Sequence, residues 1–162
     1  MSMVIHKGYL PGCIGRITEL HAAYYSQRVG FGMPFEARVA RELAAFCGRY
    51  DEQRDGLWLA NAAGAVQGSV AIDGLHAAEQ GAHLRWFITA SEIRGNGVGH
   101  SLLSSALGFC RDRGYERVYL WTFDGLGAAR HLYEKSGFRL VLQQRGSQWG
   151  VEVDEQRLEL RA

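Results

Sequence analysis

Two stretches of this chain carry residues whose types and spacing can do chemistry. The first is Arg94-Gly95-Asn96-Gly97-Val98-Gly99-His100. It follows an apolar, extended run from His83 to Thr89 and opens a helical pattern from Val98 to Arg113. A glycine-rich turn between a strand and a helix lets main-chain amides approach an anion with no Cβ in the way. The helix start adds unpaired N–H donors and the positive end of a dipole. A pyrophosphate fits such a cradle. The glycine spacing then separates the kinds of cradle. A dinucleotide fingerprint reads G-x-G-x-x-G in the first βαβ unit, whereas a register starting at Gly95 puts His100 at the third glycine. A Walker A loop needs Lys and then Ser or Thr after its last glycine; here Gly99 is followed by His100 and Ser101. What remains is Arg-Gly-x-Gly-x-Gly in mid-chain, after a strand.

The second stretch is Ala128-Ala129-Arg130-His131-Leu132-Tyr133-Glu134-Lys135-Ser136-Gly137-Phe138-Arg139-Leu140. It reads as a short helix that stops at Gly137, a residue suited to the positive φ of a helix C′ position. Tyr133 is either a phenol aimed at a reacting group or a core tyrosine on the face it shares with Ala129. A strand-like run, Arg117 to Thr122, separates the two stretches.

In order and spacing the two segments resemble the pyrophosphate loop and the A-x-x-L-Y-x-x-x-G-F signature of the GNAT superfamily of acyl-CoA N-acyltransferases. A narrower resemblance is to the GNAT domains fused to, or encoded beside, MarR-type regulators. It is carried by Gly8-Tyr9-Leu10-Pro11-Gly12, by Tyr24 to Phe35, by Leu120-Trp121-Thr122 and by Ala128 to Glu134. The chain has no DNA-reading helix-turn-helix of its own. The resemblance implies acetyl-CoA as cosubstrate, with no metal. It places the diphosphate on the amides of Gly95, Asn96, Gly97, Val98, Gly99 and His100, with Arg94 as a nearby charge. It places the pantetheine arm along Phe87-Ile88-Thr89, where a strand edge can accept an amide-rich ligand and an N–H can polarise the thioester carbonyl. Tyr133 would donate to the departing sulfur. Trp121 stands where some members carry a catalytic Glu. Leu126 stands where others carry an Asn that touches the pantetheine.

The general base is therefore open. His83, with an ordinary pKa near 6.5, and Glu79 are the candidates, directly or through water. Each is equally readable as a strand residue facing solvent. The acceptor's own pKa matters here. At pH 7 a lysine amine is roughly 0.04% neutral and an α-amine roughly 14% neutral, so a site without a strong base favours a low-pKa amine. Arg85 would clamp a substrate carboxylate if it faces the cleft and would be a surface charge if it faces outward. Tyr24, Tyr25, Phe31 and Phe35 border the acceptor side in this fold, or are core aromatics at helical spacing. The expected activity is acetyl transfer to a small amine or amino acid. The alternatives are a protein N-terminal or lysine acetyltransferase, and a CoA-binding regulatory module.

The elements must position these groups. A length of 162 residues suits one domain over residues 1–162. The formal charge of +1 gives no field that would favour nucleic acid or an anionic membrane. No apolar run reaches spanning length, and the opening residues lack a signal-peptide pattern. Cys13, Cys47 and Cys110 are widely spaced in apolar surroundings and read as reduced thiols of a cytoplasmic protein. A homodimer accords with superfamily habit. Strands are expected at Val4–Gly8, Leu57–Asn61, Val66–Asp73, Glu79–Thr89, Arg117–Thr122, Phe138–Arg145 and Val151–Leu160, with helices from Ile14, from Pro34, over Val98–Arg113 and over Gly127–Lys135. The fold class is α/β (α+β), the GNAT fold: a central mixed, mostly antiparallel, twisted sheet of six to seven strands flanked by about four helices.

Overall fold

The computed structural model describes residues 3–161. Strand β1 (Met3–Lys7) leads into helices α1 (Cys13–Val29) and α2 (Met33–Gly48). Strands β2 (Gly56–Ala62) and β3 (Ala65–Asp73) form a hairpin, followed by the single turn α3 (Ala77–Gln80) and β4 (Ala82–Thr89). Then come α4 (Val98–Asp112), β5 (Arg117–Phe123), α5 (Gly127–Lys135), β6 (Arg139–Gly146) and β7 (Val153–Arg161). The seven strands form one sheet in the order β1-β2-β3-β4-β5-β7-β6. All neighbours are antiparallel except β4 and β5. Among the described residues five helices flank the sheet, one more than expected.

The local reasons follow the sequence. Helix α1 ends where Gly30 takes a left-handed φ of 73° and caps its last carbonyls. Pro34 occupies the first turn of α2, where its missing N–H costs nothing. Helix α4 buries Val98, Leu102, Leu103, Ala106, Leu107 and Cys110 along one stripe. That stripe packs with Val70, Ile72, Leu84, Leu120 and Leu158 of the sheet into one core. Helices α1 and α2 bury Ile17, Phe35, Val39, Leu43 and Phe46 with Leu57, Leu59 and Trp86 into a second core.

One expected element differs. The run Glu79–Thr89 is not a single strand: α3 holds Glu79, and Gly81, at φ 94°, separates it from β4. Ala77, Ala78, Glu79 and Gln80 favour a helix more than a strand. Two ladder pairs, Ala82 with Val118 and His83 with Tyr119, set where β4 joins β5.

Candidate active site in the cleft between two splayed strands

Strands β4 and β5 pair only at Ala82↔Val118 and His83↔Tyr119. Beyond that point β4 stays paired to β3 as far as Thr89, and β5 stays paired to β7 as far as Phe123. The two strands therefore diverge, and the β4 edge from Leu84 onward faces a gap with its N–H and C=O groups unpaired by β5. A β-bulge accompanies the divergence. Ser69 pairs with Ile88 and Ala71 with Arg85, so Val70 stands against both Trp86 and Phe87. Trp86 takes a φ of 50°, rare for a bulky residue, and the Ser69 hydroxyl donates to its carbonyl at 2.6 Å. The extra residue bends the strand and re-aims its side chains. Arg85 and Trp86 fall on the same face, the guanidinium carbon 4.2 Å from the indole centroid. Phe87 turns to the other face, 5.7 Å from the ring of Tyr133.

A cavity of about 280 Å³ occupies the gap. Helix α5 contributes Ala129 and Tyr133 to its wall, and the residue before α5 contributes Leu126. Helix α1 contributes His21 and Tyr25, and α2 contributes Phe35, Arg38 and Glu42. The strands add His83, Arg85, Trp86, Phe87, Trp121 and Thr122.

At one end of the gap lies the glycine-rich turn. Gly95 and Gly97 adopt φ values of 88° and 74°, and Gly97 caps α4. The first intrahelical bond runs from the Ser101 N–H to the Gly97 carbonyl at 3.1 Å, so the amides of Val98, Gly99 and His100 have no helical acceptor. Gly99 is held for a different reason: a Cβ there would stand 3.3 Å from Leu132 Cδ1 and 3.4 Å from Phe87 Cζ. Its bare Cα lets the first turn of α4 press against α5 and β4. Arg94 and Asn96 are exposed beside this turn. The Arg94 side chain folds back: Nε and Nη2 donate to the Thr89 carbonyl at 3.2 and 2.9 Å, and the guanidinium lies 4.4 Å from the Tyr24 ring centroid.

The remaining sequence candidates separate. Tyr133 is buried at the cavity wall. Burial, then the neighbouring Tyr25 hydroxyl, raises its pKa well above that of an ordinary phenol. Tyr25 is raised likewise by burial and by Tyr24, against the pull of Arg94. His83 lines the cavity, its ring stacked 4.4 Å from Tyr119. Burial, then Arg85, brings its pKa down to about 3, which makes it a weak proton acceptor. Glu79, expected on the central strand, is exposed on α3 and does not line the cavity. Arg85 faces the cleft, not the outside, but it is already engaged: Nη2 meets Glu42 at 2.6 Å and Nη1 meets Asp73 at 3.3 Å. Ile88 is buried on β4, and Thr89 ends that strand. Phe31 lies behind the wall, packed on Phe35 and Phe123 at 4.9 and 5.4 Å. Tyr24 sits outside the cavity beneath Arg94.

His21 is a site residue that sequence reasoning missed. It is 5% exposed and lines the cavity. Its Nδ1 lies 2.8 Å from the Ile17 carbonyl. A carbonyl can only accept, so Nδ1 carries the proton and Nε2 of the neutral ring is a bare acceptor. Burial brings its pKa down to about 4, partly offset by that carbonyl. The only signal in the sequence was a histidine on an otherwise apolar helix face. Among the described residues no cluster of metal-ligating side chains occurs, and no helix is long and apolar enough to cross a membrane.

The acetyltransferase (GNAT) family pattern matches residues 15–138, which take in α1 from Gly15 onward and the cleft-forming strands. The chain belongs to the GNAT acetyltransferase family. Its fold is that of solved GNAT structures. A GNAT-family acetyltransferase from Staphylococcus aureus Mu50 superposes with a TM-score of 0.79 at 18% identity, over 99% of each chain. An acetyltransferase from Salmonella typhimurium, solved with its cofactor acetyl-CoA, gives 0.76 at 17% identity, over 99% of this chain and 94% of that one. A ribosomal-protein-alanine N-acetyltransferase from Brucella melitensis gives 0.76 at 17% identity, over 98% and 99%. Comparison with curated protein sequences finds no match. The GNAT likeness fixes the fold and the transferase class; the acceptor must be argued from the cleft itself.

Proposed function

We propose that this GNAT protein transfers an acetyl group from acetyl-CoA to the primary amine of a small molecule or amino acid. Three observations carry the reading: the first amides of α4 after Gly97 lack helical acceptors, the β4 edge beyond His83 is free of β5, and Tyr133 stands at the wall of the cavity in that gap. The cradle suits a diphosphate because Gly95 and Gly97 leave amides uncovered and α4 adds its dipole. The β4 edge suits an amide-rich arm because its main-chain groups beyond His83 lack a β5 partner. Phe87, Ile88 and Thr89 would hold that arm, with Leu126 as an apolar wall. Arg94 would leave the Thr89 carbonyl and turn its charge toward the diphosphate.

Acetyl-CoA supplies the activated carbonyl and the thiol leaving group. The chain supplies the rest. An N–H of the β4 edge polarises the carbonyl oxygen. Tyr133 donates a hydrogen bond to the departing sulfur. Its raised pKa argues for hydrogen bonding rather than full proton release. The neutral His21 ring offers Nε2 to an amine N–H, which orients the amine lone pair. The amine's proton leaves to water, because neither His21 nor His83 is basic enough to hold it as a resting base.

The cavity is small, about 280 Å³, with side chains from α1, α2 and α5 in its wall, which favours a free amine over a peptide. The free cysteines accord with a cytoplasmic setting. The narrower likeness to MarR-associated GNAT domains would place the enzyme beside a transcriptional regulator. The test is a thiol-release assay over small amines, amino acids and N-terminal and lysine peptides. Turnover of small amines is the expected result. Turnover of peptides alone, or acetyl-CoA binding with no turnover of any acceptor, would overturn the reading.

A further inference from the structure

We propose that the acceptor carries a carboxylate as well as its amine, and that Arg38 and Arg85 receive that carboxylate at the α2 end of the cleft. The inference rests on the N-acetyl transfer proposed above and names the class of acceptor. Five ionised side chains run in a line. Arg49 binds Asp73 through both terminal nitrogens at 3.0 and 2.7 Å. Asp73 meets Arg85 at 3.3 Å. Arg85 meets Glu42 Oε1 at 2.6 Å, and Glu42 Oε2 accepts from Arg38 Nε at 3.1 Å. Arg38 also donates to the Gln148 carbonyl, and its Nη2 reaches the Gln148 Oε1 at 3.4 Å. Three guanidiniums thus bracket two carboxylates, and one positive charge is left over. The end that lines the cavity is Arg38, Glu42 and Arg85; Arg49 and Asp73 stand behind it.

The wall of the cleft shows the same sign. Burial acts first on His83, and Arg85, Arg157 and Arg38 then outweigh Asp73 in keeping its ring uncharged. Arg157 is itself paired with Glu159 at 3.1 Å. Donors remain for a ligand. A guanidinium has five N–H groups, and the two carboxylates engage one terminal nitrogen each of Arg85. Each Glu42 oxygen accepts from one arginine, which ties the carboxylate to both guanidiniums.

A positive end has two consequences. It attracts a carboxylate, which a pair of guanidiniums can hold by charge-assisted hydrogen bonds. It also disfavours an ammonium, so the bound amine is more often neutral. This supplies by field what a Glu base would otherwise do, at a site where Trp121 stands instead. An acceptor whose only charges are ammonium groups, such as a polyamine or a lysine-rich segment, is disfavoured for the same reason.

The experiment uses matched acceptors: amino acids, their carboxamides and their decarboxylated amines. Removal of the carboxylate should raise KM about 10-fold or more, the range of charge-assisted hydrogen bonds. Arg38→Gln should raise KM for the amino acids by a similar factor and shrink the KM difference between the amino acids and their decarboxylated amines. Glu42→Gln adds positive character, so it should widen the preference for carboxylates. A purely structural ion-pair line would instead make both variants lose activity alike on every acceptor. Calorimetry of N-acetylated amino acids on the CoA-saturated protein reads the same preference without turnover. Equal KM across the matched acceptors, or equal binding of N-acetyl amino acids and their amides, overturns this inference while turnover still upholds the transferase. Loss of every amine activity together with no uptake of acetyl-CoA would instead sink the transferase.

Discussion

Tyr133→Phe removes one oxygen from the cleft wall and little else. The ring packs 5.7 Å from Phe87 and 5.8 Å from Phe138, and a phenylalanine keeps both contacts. The pKa of its hydroxyl is set by burial and by Tyr25, with no hydrogen bond among the causes. The variant should therefore fold normally and bind acetyl-CoA as the parent does. Its chemistry should suffer. An ordinary phenol near pKa 10 and a thiol near 8.5 differ by about 2 kcal/mol in proton affinity. Burial of Tyr133 widens that gap, so the hydroxyl acts as a hydrogen-bond donor to a developing thiolate. Such a bond to a charged group contributes about 1.5–3 kcal/mol, which is about 10- to 150-fold in kcat. Single-turnover and steady-state thiol release at saturating amine measure kcat, and calorimetry measures the acetyl-CoA Kd. A kcat unchanged within a factor of two, with Kd unchanged, would refute the role given to Tyr133.

Three further predictions follow from other parts of the molecule. The folded-state pKa of His21, about 4 against an ordinary 6.5, means that the unfolded chain takes up a proton first as pH falls. Stability from this residue is thus present above pH 6.5 and lost between 6.5 and 4, up to about 3 kcal/mol; denaturant titrations should show a shallower acid slope in His21→Asn, and an unchanged slope would count against a buried neutral ring. Gly97→Val puts a branched side chain at a φ of 74°, a strain of about 1–2 kcal/mol, and should weaken acetyl-CoA binding about 10-fold or more by calorimetry; an unaltered Kd would remove Gly97 from the cradle. Asp55 is fully buried and accepts from the Gly74 and Asp51 amides and from Arg54. Asp55→Ala leaves those amides unpaired and should cost about 2–4 kcal/mol in chemical denaturation, with kinetics unaffected once the protein is folded.

The parts of the fold that were legible in the sequence are those fixed by one local rule. The α4 stripe Val98, Leu102, Leu103, Ala106, Cys110 has a single buried face, so its period is clean. Gly30 and Pro34 punctuate α1 and α2 as their backbone chemistry requires. The paired glycines and Tyr133 were legible because their spacing is local and their positions follow directly from strand, turn and helix.

What was not legible depends on contacts distant in sequence. The bulge at Trp86 places a positive φ on a residue that gives no hint of it, and it decides that Arg85 and Trp86 share a face. The alternation of β4 alone could not say whether Arg85 pointed into the cleft. Its partners Glu42 and Asp73 lie 43 and 12 residues away in sequence. Glu79 looked like part of the strand because no residue before Gly81 breaks the run. His21 was hidden in the opposite way: it occupies a core position on α1, and only the cavity beside it makes its bare nitrogen visible.

A crystal structure of the protein with coenzyme A tests the central claim most directly. The diphosphate should lie within hydrogen-bond distance of main-chain amides between residues 95 and 100, with the pantetheine arm along the β4 edge and the sulfur beside the Tyr133 hydroxyl. Coenzyme A bound away from this loop, or an arm that leaves the β4–β5 gap empty, would contradict the account.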